Sequence, residues 1–493
     1  MLGEQFNIDH SKAIPNKDNI ISGTNYRFTI LSERLIRLEY NENGVFENRP
    51  TELVWYRNMN KVPFQIKEDS KFLEIQTSYF KLTYVKEKPF KGTKLNAMAN
   101  LKVELLNSDR IWYYGNPEAT EARNYGSPGL SLDDTKKLKL KMGLYSPYGY
   151  AYLDDSNGMI MNENGTLKAR EEQSIDIYLF MYLKDFALCL KDYYAITGYP
   201  SLIPRYALGN WWSRNVAYDD DSLKELVTTF EDKKIPLSVL LLDKDWHINT
   251  FEDKQMDSGF TWNTEKFKSP KGMIDYMHAK GVRVGLSVNP KDGFYPYEKY
   301  YDNIKKYIPA GEKGIIPFNV YDDRTIEVYM KILIDPLDQY GVDFYWIDDD
   351  GKKDLNRIWA LSHYHFTDLK EDYKRRAMVL SRNSGIAAHR YPVLYSGKTI
   401  VSWDTLNLIP LHNSSATNIG VSFWAHDIGG YYKGKEDNEL YQRYVQLGTF
   451  SPILKFGSDK GKYYKREPWR WSIKTYEIVN DYLHLRHRLI PYL

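Results

Sequence analysis

Three neighbouring stretches decide the fold: LSVLLLD (237–243), KGMIDYMHAK (271–280) and RVGLSVN (283–289). A short apolar run, an amphipathic stretch at helical spacing and a second apolar run together read as a βαβ unit. Working outward from this unit, the same rhythm recurs. Short apolar runs fall at Ala207–Ser213, Leu237–Asp243, Arg283–Asn289, Asp343–Asp348, Met378–Arg382, Pro392–Gly397, Val421–Asp427 and Ser451–Gly457. Helical stretches lie between several of them. Ser222 opens one as a capping box, with Glu225 three residues later. Others are Lys271–Lys280, Arg324–Gln339 and Glu436–Leu447, and a last helix, Trp471–Leu489, follows the eighth run. Eight such units predict an α/β architecture, a (β/α)8 TIM barrel, a fold of about 250 residues. The doubly wound open sheet is the alternative, but no GxGxxG follows a first strand.

Before residue 200 the pattern is different. Alternating or β-branched and aromatic runs recur at Tyr26–Leu31, Leu35–Tyr40, Phe72–Thr77, Phe80–Val85 and Asp176–Tyr182. Turn signals such as Asn43-Gly44 and Asn157-Gly158 separate them, which predicts an antiparallel β-sandwich. Asp185–Tyr194 turns helical, and Gly198, Pro200 and Pro204 then punctuate the chain. The expected division is an N-terminal β-sandwich with a linking helix over 1–200 and a barrel over 201–493.

The chain has 493 residues, 42% hydrophobic and 27% charged, as in ordinary globular proteins. Lys and Arg total 67 against 65 Asp and Glu, so no long-range field of one sign arises. That argues against a general nucleic-acid or anionic-membrane binder. One cysteine, Cys189, allows no internal disulfide and no cysteine-based zinc site. It is expected in a packed helix. Met1–Asn19 has no apolar core of a secretory signal, and no apolar run approaches the length of a spanning helix. The expected compartment is cytoplasmic. Aromatic residues reach 15%, with 42 Tyr and 12 Trp, rings that fill cores or stack on flat ligands.

In such a barrel chemistry sits at the C-terminal ends of the strands. There the runs place Trp211, Trp212 and Arg214, then Asp243, Asp245, Trp246 and His247, then Asn289 and Asp292. Asp348, Asp349 and Asp350 follow, then Arg382, Lys398, His426 and Asp427. No HExxH, GxSxG or P-loop is present. Carboxylates and rings without metal or phosphate signatures favour carbohydrate chemistry, in which paired carboxyl groups cleave a glycosidic bond. Each residue also has a structural reading. Asp349 and Asp350 read as a helix cap and a solvated neighbour. Of Trp211 and Trp212, which face opposite sides of a strand, one reads as core. His363 and His365 lack a third metal ligand nearby, and Arg382 can be an ion-pair partner.

The same stretches resemble glycoside hydrolase family 31, the family of retaining α-glucosidases and α-xylosidases. The resemblance is carried by ITGYPSLIPRYALGNWWSR (196–214), IPLSVLLLDKDWH (235–247), GVDFYWIDDDG (341–351), LSRNSGIAAHRYPVLYSGKTIVSWDTL (380–406), NIGVSFWAHDIGG (418–430) and QLGTFSPILKFGS (446–458), with SERLIRLEYNENGVFENRPT (32–51) in the N-terminal part. It implies a β-sandwich, a (β/α)8 barrel and C-terminal β-domains, for which no residues remain after Leu493. It implies that Asp348 is the nucleophile. Asp243, Asp245, Arg382, His426 and Asp427 would bind sugar, with Trp346 and Trp424 as apolar walls. The implied ligand is a saccharide, with no cofactor, metal, nucleic acid or membrane.

Two departures stand out. Where relatives read YSGD, this chain reads Tyr395-Ser396-Gly397-Lys398, so lysine occupies the position of the general acid/base. A lysine near its ordinary pKa donates a proton but is a poor base at neutral pH. Three outcomes are open: a weakened or inactive sugar-binding relative, a Lys398 depressed by burial, or a substitute carboxylate such as Asp404. The second departure is Gly457 in place of a His, with Lys455 where an Arg is usual.

Overall fold

The computed structural model describes residues 2–92, 98–116, 132–133, 138, 140, 143–349, 355–370, 376–382, 385–461 and 464–493. The N-terminal part is a sandwich of two five-stranded antiparallel sheets. One runs in the order Ile20–Ser22, Tyr26–Ser32, Leu35–Tyr40, Ile175–Met181, Tyr150–Asp154. The other runs Gln65–Glu68, Phe72–Gln76, Phe80–Val85, Leu101–Leu105, Ile111–Tyr113. Alternate side chains meet between them, with Phe28, Ile36 and Leu38 packed in one core with Leu73, Leu82 and Val103. The other parity of the first sheet buries charge. Arg37 grips Asp176 at 2.8 and 2.7 Å, and Arg27 grips Glu39 at 2.6 and 2.8 Å. Buried ions persist only when paired in this way. The helix Phe186–Thr197, carrying the buried Cys189, leads on to the barrel.

Eight parallel strands close that barrel. In order, one to eight, they are Asn210–Arg214, Val239–Leu242, Arg283–Val288, Phe344–Ile347, Val379–Ser381, Leu394–Tyr395, Trp424–Ile428 and Ile453–Ser458. Strand one pairs with strand eight from Asn210↔Leu454 to Arg214↔Ser458, which removes both sheet edges. Both faces are covered, so the strands read as continuous apolar runs in place of alternation. Parity still sorts them. Trp211, Val239, Leu241, Phe344, Trp346, Leu380, Tyr395, Ala425 and Ile453 fill the barrel interior. Trp212, Leu240, Leu242, Tyr345, Ile347 and Phe456 face the helix layer. Both members of the Trp211–Trp212 pair are therefore core. The interior leaves no spare room: a Cβ on Gly285 would lie 2.4 Å from the Phe344 ring.

Helix ends elsewhere shift by up to three residues, and two helices differ from expectation in how they are built. The first barrel helix is Asp220–Asp232, and its cap is Asp219, which accepts from the Ser222 N–H at 2.8 Å. Ser222 is the third residue of that helix and returns the bond to the Asp219 N–H at 2.9 Å. Aspartate caps as well as serine, so the start moves back by three residues. The stretch expected as Arg324–Gln339 is helical as Asp323–Val328, a wider π turn over Tyr329–Ile334, and Asp335–Asp338. Pro336 has no N–H to continue the α ladder there. Among the described residues no helix is long and apolar enough to cross a membrane.

Candidate active site

Parity fixes what reaches the mouth of the barrel. Phe344 and Trp346 point inward on strand four, so Asp348 just beyond it does too. Val239 and Leu241 set Asp243 inward after strand two, and Leu380 sets Arg382 inward after strand five. Gly397, at φ +94°, turns the chain after strand six and brings Lys398 to the same place. These four residues line one cavity of about 230 Å³, with Asp133, Asn215, Lys244, Asp257, Lys291 and Tyr432 completing the described lining. That volume is below the usual range for ligand pockets, which starts at about 300 Å³.

Each charge in the cavity has a defined neighbour. The Asp348 backbone N–H donates to Val288 O at 3.1 Å, and its carbonyl accepts from Asn289 Nδ2 at 2.7 Å. Arg382 is buried, donates to Asp133 and lies 5.4 Å from the centroid of the Tyr395 ring. Asp133 also accepts from the Lys398 backbone N–H. It reaches the mouth from the N-terminal part, where the neighbouring Leu132 N–H donates to Ser396 O at 2.6 Å. The Lys398 ammonium lies 5.3 Å from the Tyr431 ring. Asp348 foremost, with help from Asp243, holds it above the ordinary lysine pKa although burial opposes this. Burial alone would depress Lys398, but the Asp348 charge outweighs it. Burial and then the Asp348 charge push the Asp243 carboxyl up to about 6. Its Oδ1 accepts from the Lys244 N–H at 2.7 Å. Burial would also raise Asp257, but Lys244 and Lys291, at 2.8 and 2.9 Å, push it down to about 2.

Other expected site residues are elsewhere. Asp245 turns away from Asp243 toward Lys266 at 3.4 Å and Lys460 at 3.5 Å. Trp346 is enclosed within the barrel, with its ring edge-on to Tyr395 at 5.7 Å. Trp424 and His426 have the outward parity of strand seven and face the helix Trp403–Thr417. Trp424 packs with Leu394, Ala416 and Ile419. His426 lies between Ser396 Oγ at 2.7 Å and Asn413 Oδ1 at 2.8 Å. Neither forms a wall of the cavity, because the inward position between them belongs to Ala425. Asp427 does point inward, but Tyr395 OH and Lys455 Nζ hold it in a sealed pair. A Cβ on Gly457 would lie 1.9 Å from its Oδ1, so Gly457 and Lys455 form one arrangement.

The bland readings also sort out. Asp349 is wholly buried and accepts from Arg357 Nε at 2.7 Å. Asp350 lies outside the described residues. Asp404 is exposed on the first turn of Trp403–Thr417 and does not line the cavity. His363 and His365 are buried, at 2.8 Å from Tyr391 OH and 2.7 Å from Tyr329 OH. Burial pushes both down to about 3, as for neutral core histidines.

These features define a TIM barrel with a small, charged cavity at the C-terminal ends of strands two, four, five and six, where such barrels carry chemistry. The chain belongs to the glycosyl hydrolases family 31: the model of that family's TIM-barrel domain matches residues 200–493. An alpha-xylosidase of Saccharolobus solfataricus is 26% identical over 383 residues, 71% of this chain and 51% of the relative. Neutral alpha-glucosidase AB of Mus musculus is 26% identical over 368 residues, 65% of this chain and 37% of the relative. The chain thus spans about half the length, or less, of these curated relatives. Among solved structures, a Flavobacterium johnsoniae GH31 dextranase complexed with glucose superposes with a TM-score of 0.68 at 18% identity, covering 96% of this chain and 67% of that one. A xylosidase from Aspergillus niger gives 0.70 at 15%, covering 96% and 82%.

Proposed function

We propose that this chain carries the site of a retaining α-glycoside hydrolase, α-glucosidase-like, for α-linked glucosides or related saccharides. Asp348 is the nucleophile and Lys398 occupies the acid/base position. The observation that carries the reading is that Asp348 opens into a 230 Å³ cavity beside Asp243 and Arg382. In this reading Asp348 attacks the anomeric carbon while the leaving oxygen departs with its electron pair. Asp243 accepts from sugar hydroxyls, and Arg382 donates to them from its bond with Asp133. Lys398, held charged by Asp348 and Asp243, is a weak proton donor and offers the attacking water no lone pair at neutral pH. Turnover of ordinary glycosides is then slower by about 10² to 10⁴ than with a carboxylic acid at that position.

A second reading, a sugar-binding relative without turnover, is favoured by that same ammonium facing Asp348. The test is incubation with 4-nitrophenyl α-glucoside and α-xyloside, with and without azide, for the unmodified protein, Lys398→Asp and Asp348→Asn. The hydrolase reading expects azide to release nitrophenolate from the unmodified protein, Lys398→Asp to hydrolyse faster, and Asp348→Asn to do neither. No product from the unmodified protein or from Lys398→Asp would sink it and leave binding alone.

A further inference from the structure

The charge around the cavity bears on the acceptor. Lys244, Lys291, Arg382 and Lys398 line it, together with the carboxylates of Asp133, Asp243, Asp257 and Asp348. Lys244 and Lys291 share one carboxylate, Asp257, at 2.8 and 2.9 Å, which leaves that triad one positive charge in excess. Asp133 is engaged by Arg382 and by the Lys398 backbone N–H. Asp243 and Asp348 share the single Lys398 ammonium, so the four cations and four carboxylates of the lining balance while Asp348 is ionised, and the lining gains one positive charge in excess once Asp348 is an ester. Water attacking a glycosyl ester must give up a proton to a base, and the group beside Asp348 is an ammonium. An oxyanion has a free lone pair, needs no base, and is attracted by the cations that line the cavity.

We propose that this site transfers a glycosyl group between oxyanions, with a phosphate-class anion as both leaving group and acceptor. The proposal rests on the reading of Asp348 as the nucleophile. In the first half-reaction an Asp348 carboxylate oxygen bonds to the anomeric carbon of an α-glycosyl phosphate. The bond from that carbon to the phosphate oxygen breaks, and its electron pair leaves with the phosphate. In the second, an oxygen of another phosphate attacks the same carbon, and the electron pair of the ester bond returns to Asp348. The donor reacts as its monoanion and leaves as hydrogen phosphate, and hydrogen phosphate attacks through a charged oxygen, so neither displacement takes a proton from the protein or gives one to it; the phosphate ester exchanges its remaining proton with water. Two displacements keep the α configuration. Lys398 offsets the charge of the departing and arriving anion, and Lys244 and Lys291 attract it to the mouth.

The test uses the whole chain with 4-nitrophenyl α-glucoside and α-xyloside as donors, whose leaving group also departs without a proton. Inorganic phosphate is added as acceptor, with chloride at equal ionic strength as control and azide as a small nucleophile. The expected result is nitrophenolate release at least about tenfold faster with phosphate than with chloride. It should be accompanied by α-glycosyl phosphate, and the acceleration should be lost in Lys398→Gln. Azide adduct without phosphate adduct would overturn this proposal and leave Asp348 as nucleophile. Equal acceleration by chloride, or phosphate acceleration that survives in Lys398→Gln, would also overturn it. No product with any acceptor would overturn both the proposal and the reading it rests on.

Discussion

Asp348 and Asp427 point into the same barrel with the same inward parity, but their surroundings differ. Asp427 is wholly buried, held by Tyr395 OH and by the buried Lys455, with Gly457 leaving room for its carboxylate. Asp348 is partly exposed and borders a cavity, and its nearby cation Lys398 also faces the open space. In the sealed pair the bonds run to Tyr395 and to strand eight, inside the protein. In the open cluster Asp348 and Lys398 both border the cavity, which is the state a ligand can use. A charged residue at a strand end is therefore not by itself a site residue; what decides is whether its partners are inside the protein or across a cavity.

The comparison can be broken from the sealed side first. Lys455→Met removes the cation and leaves Asp427 buried and unpaired. It should cost about 3–5 kcal/mol of stability, read as a large fall in melting temperature. A loss near zero would show that Asp427 is solvated and belongs to the open cluster. Gly457→Ala should cost up to about 3 kcal/mol, because its Cβ falls on Asp427 Oδ1 and displaces the pair. Glycoside binding should weaken less than stability if the pair is structural.

A third carboxyl extends the comparison. Glu298 is 4% exposed and accepts from Thr261 Oγ1 at 2.6 Å and the Phe260 N–H at 3.0 Å. Burial pushes it up to about 7. Its folded pKa is above the ordinary carboxyl value, so its contribution to stability is complete in acid and is lost as pH rises through about 7. Between about pH 5 and pH 7 the protein should lose about 2 kcal/mol that the Glu298→Gln variant does not lose. Equal pH profiles, measured by denaturant melts, would contradict this assignment.

How much of this was legible in the sequence follows from the same physics. The eight apolar runs identify the barrel because buried parallel strands are apolar on both faces. Asp348, Asp243 and Arg382 sit directly past such runs, and position alone brings them to the mouth. Trp424 and His426 looked equivalent to Asp427, but period-two alternation sends them to the opposite side. The small Ala425 between them was the available clue to which side faces in. Asp133 left no signal, since it reaches Arg382 from 249 residues away along the chain. Lys244 and Lys291 carried no signal in the sequence, because the Asp257 carboxylate that bridges them is brought there only by the fold. The box read from Ser222 starts three residues too late, because Asp219 is the cap and its carboxylate accepts from the Ser222 N–H.

The central claim is that Asp348 attacks an anomeric carbon. The most direct measurement is incubation with an activated fluorosugar of the α-glucosyl series, whose covalent ester breaks down slowly, followed by proteolysis and mass analysis. The account predicts one glycosyl unit on the peptide that contains Asp348, absent in Asp348→Asn and removed by azide. A glycosyl unit on Asp243 or on any other residue, or a protein that binds the sugar and stays unlabelled, would contradict it.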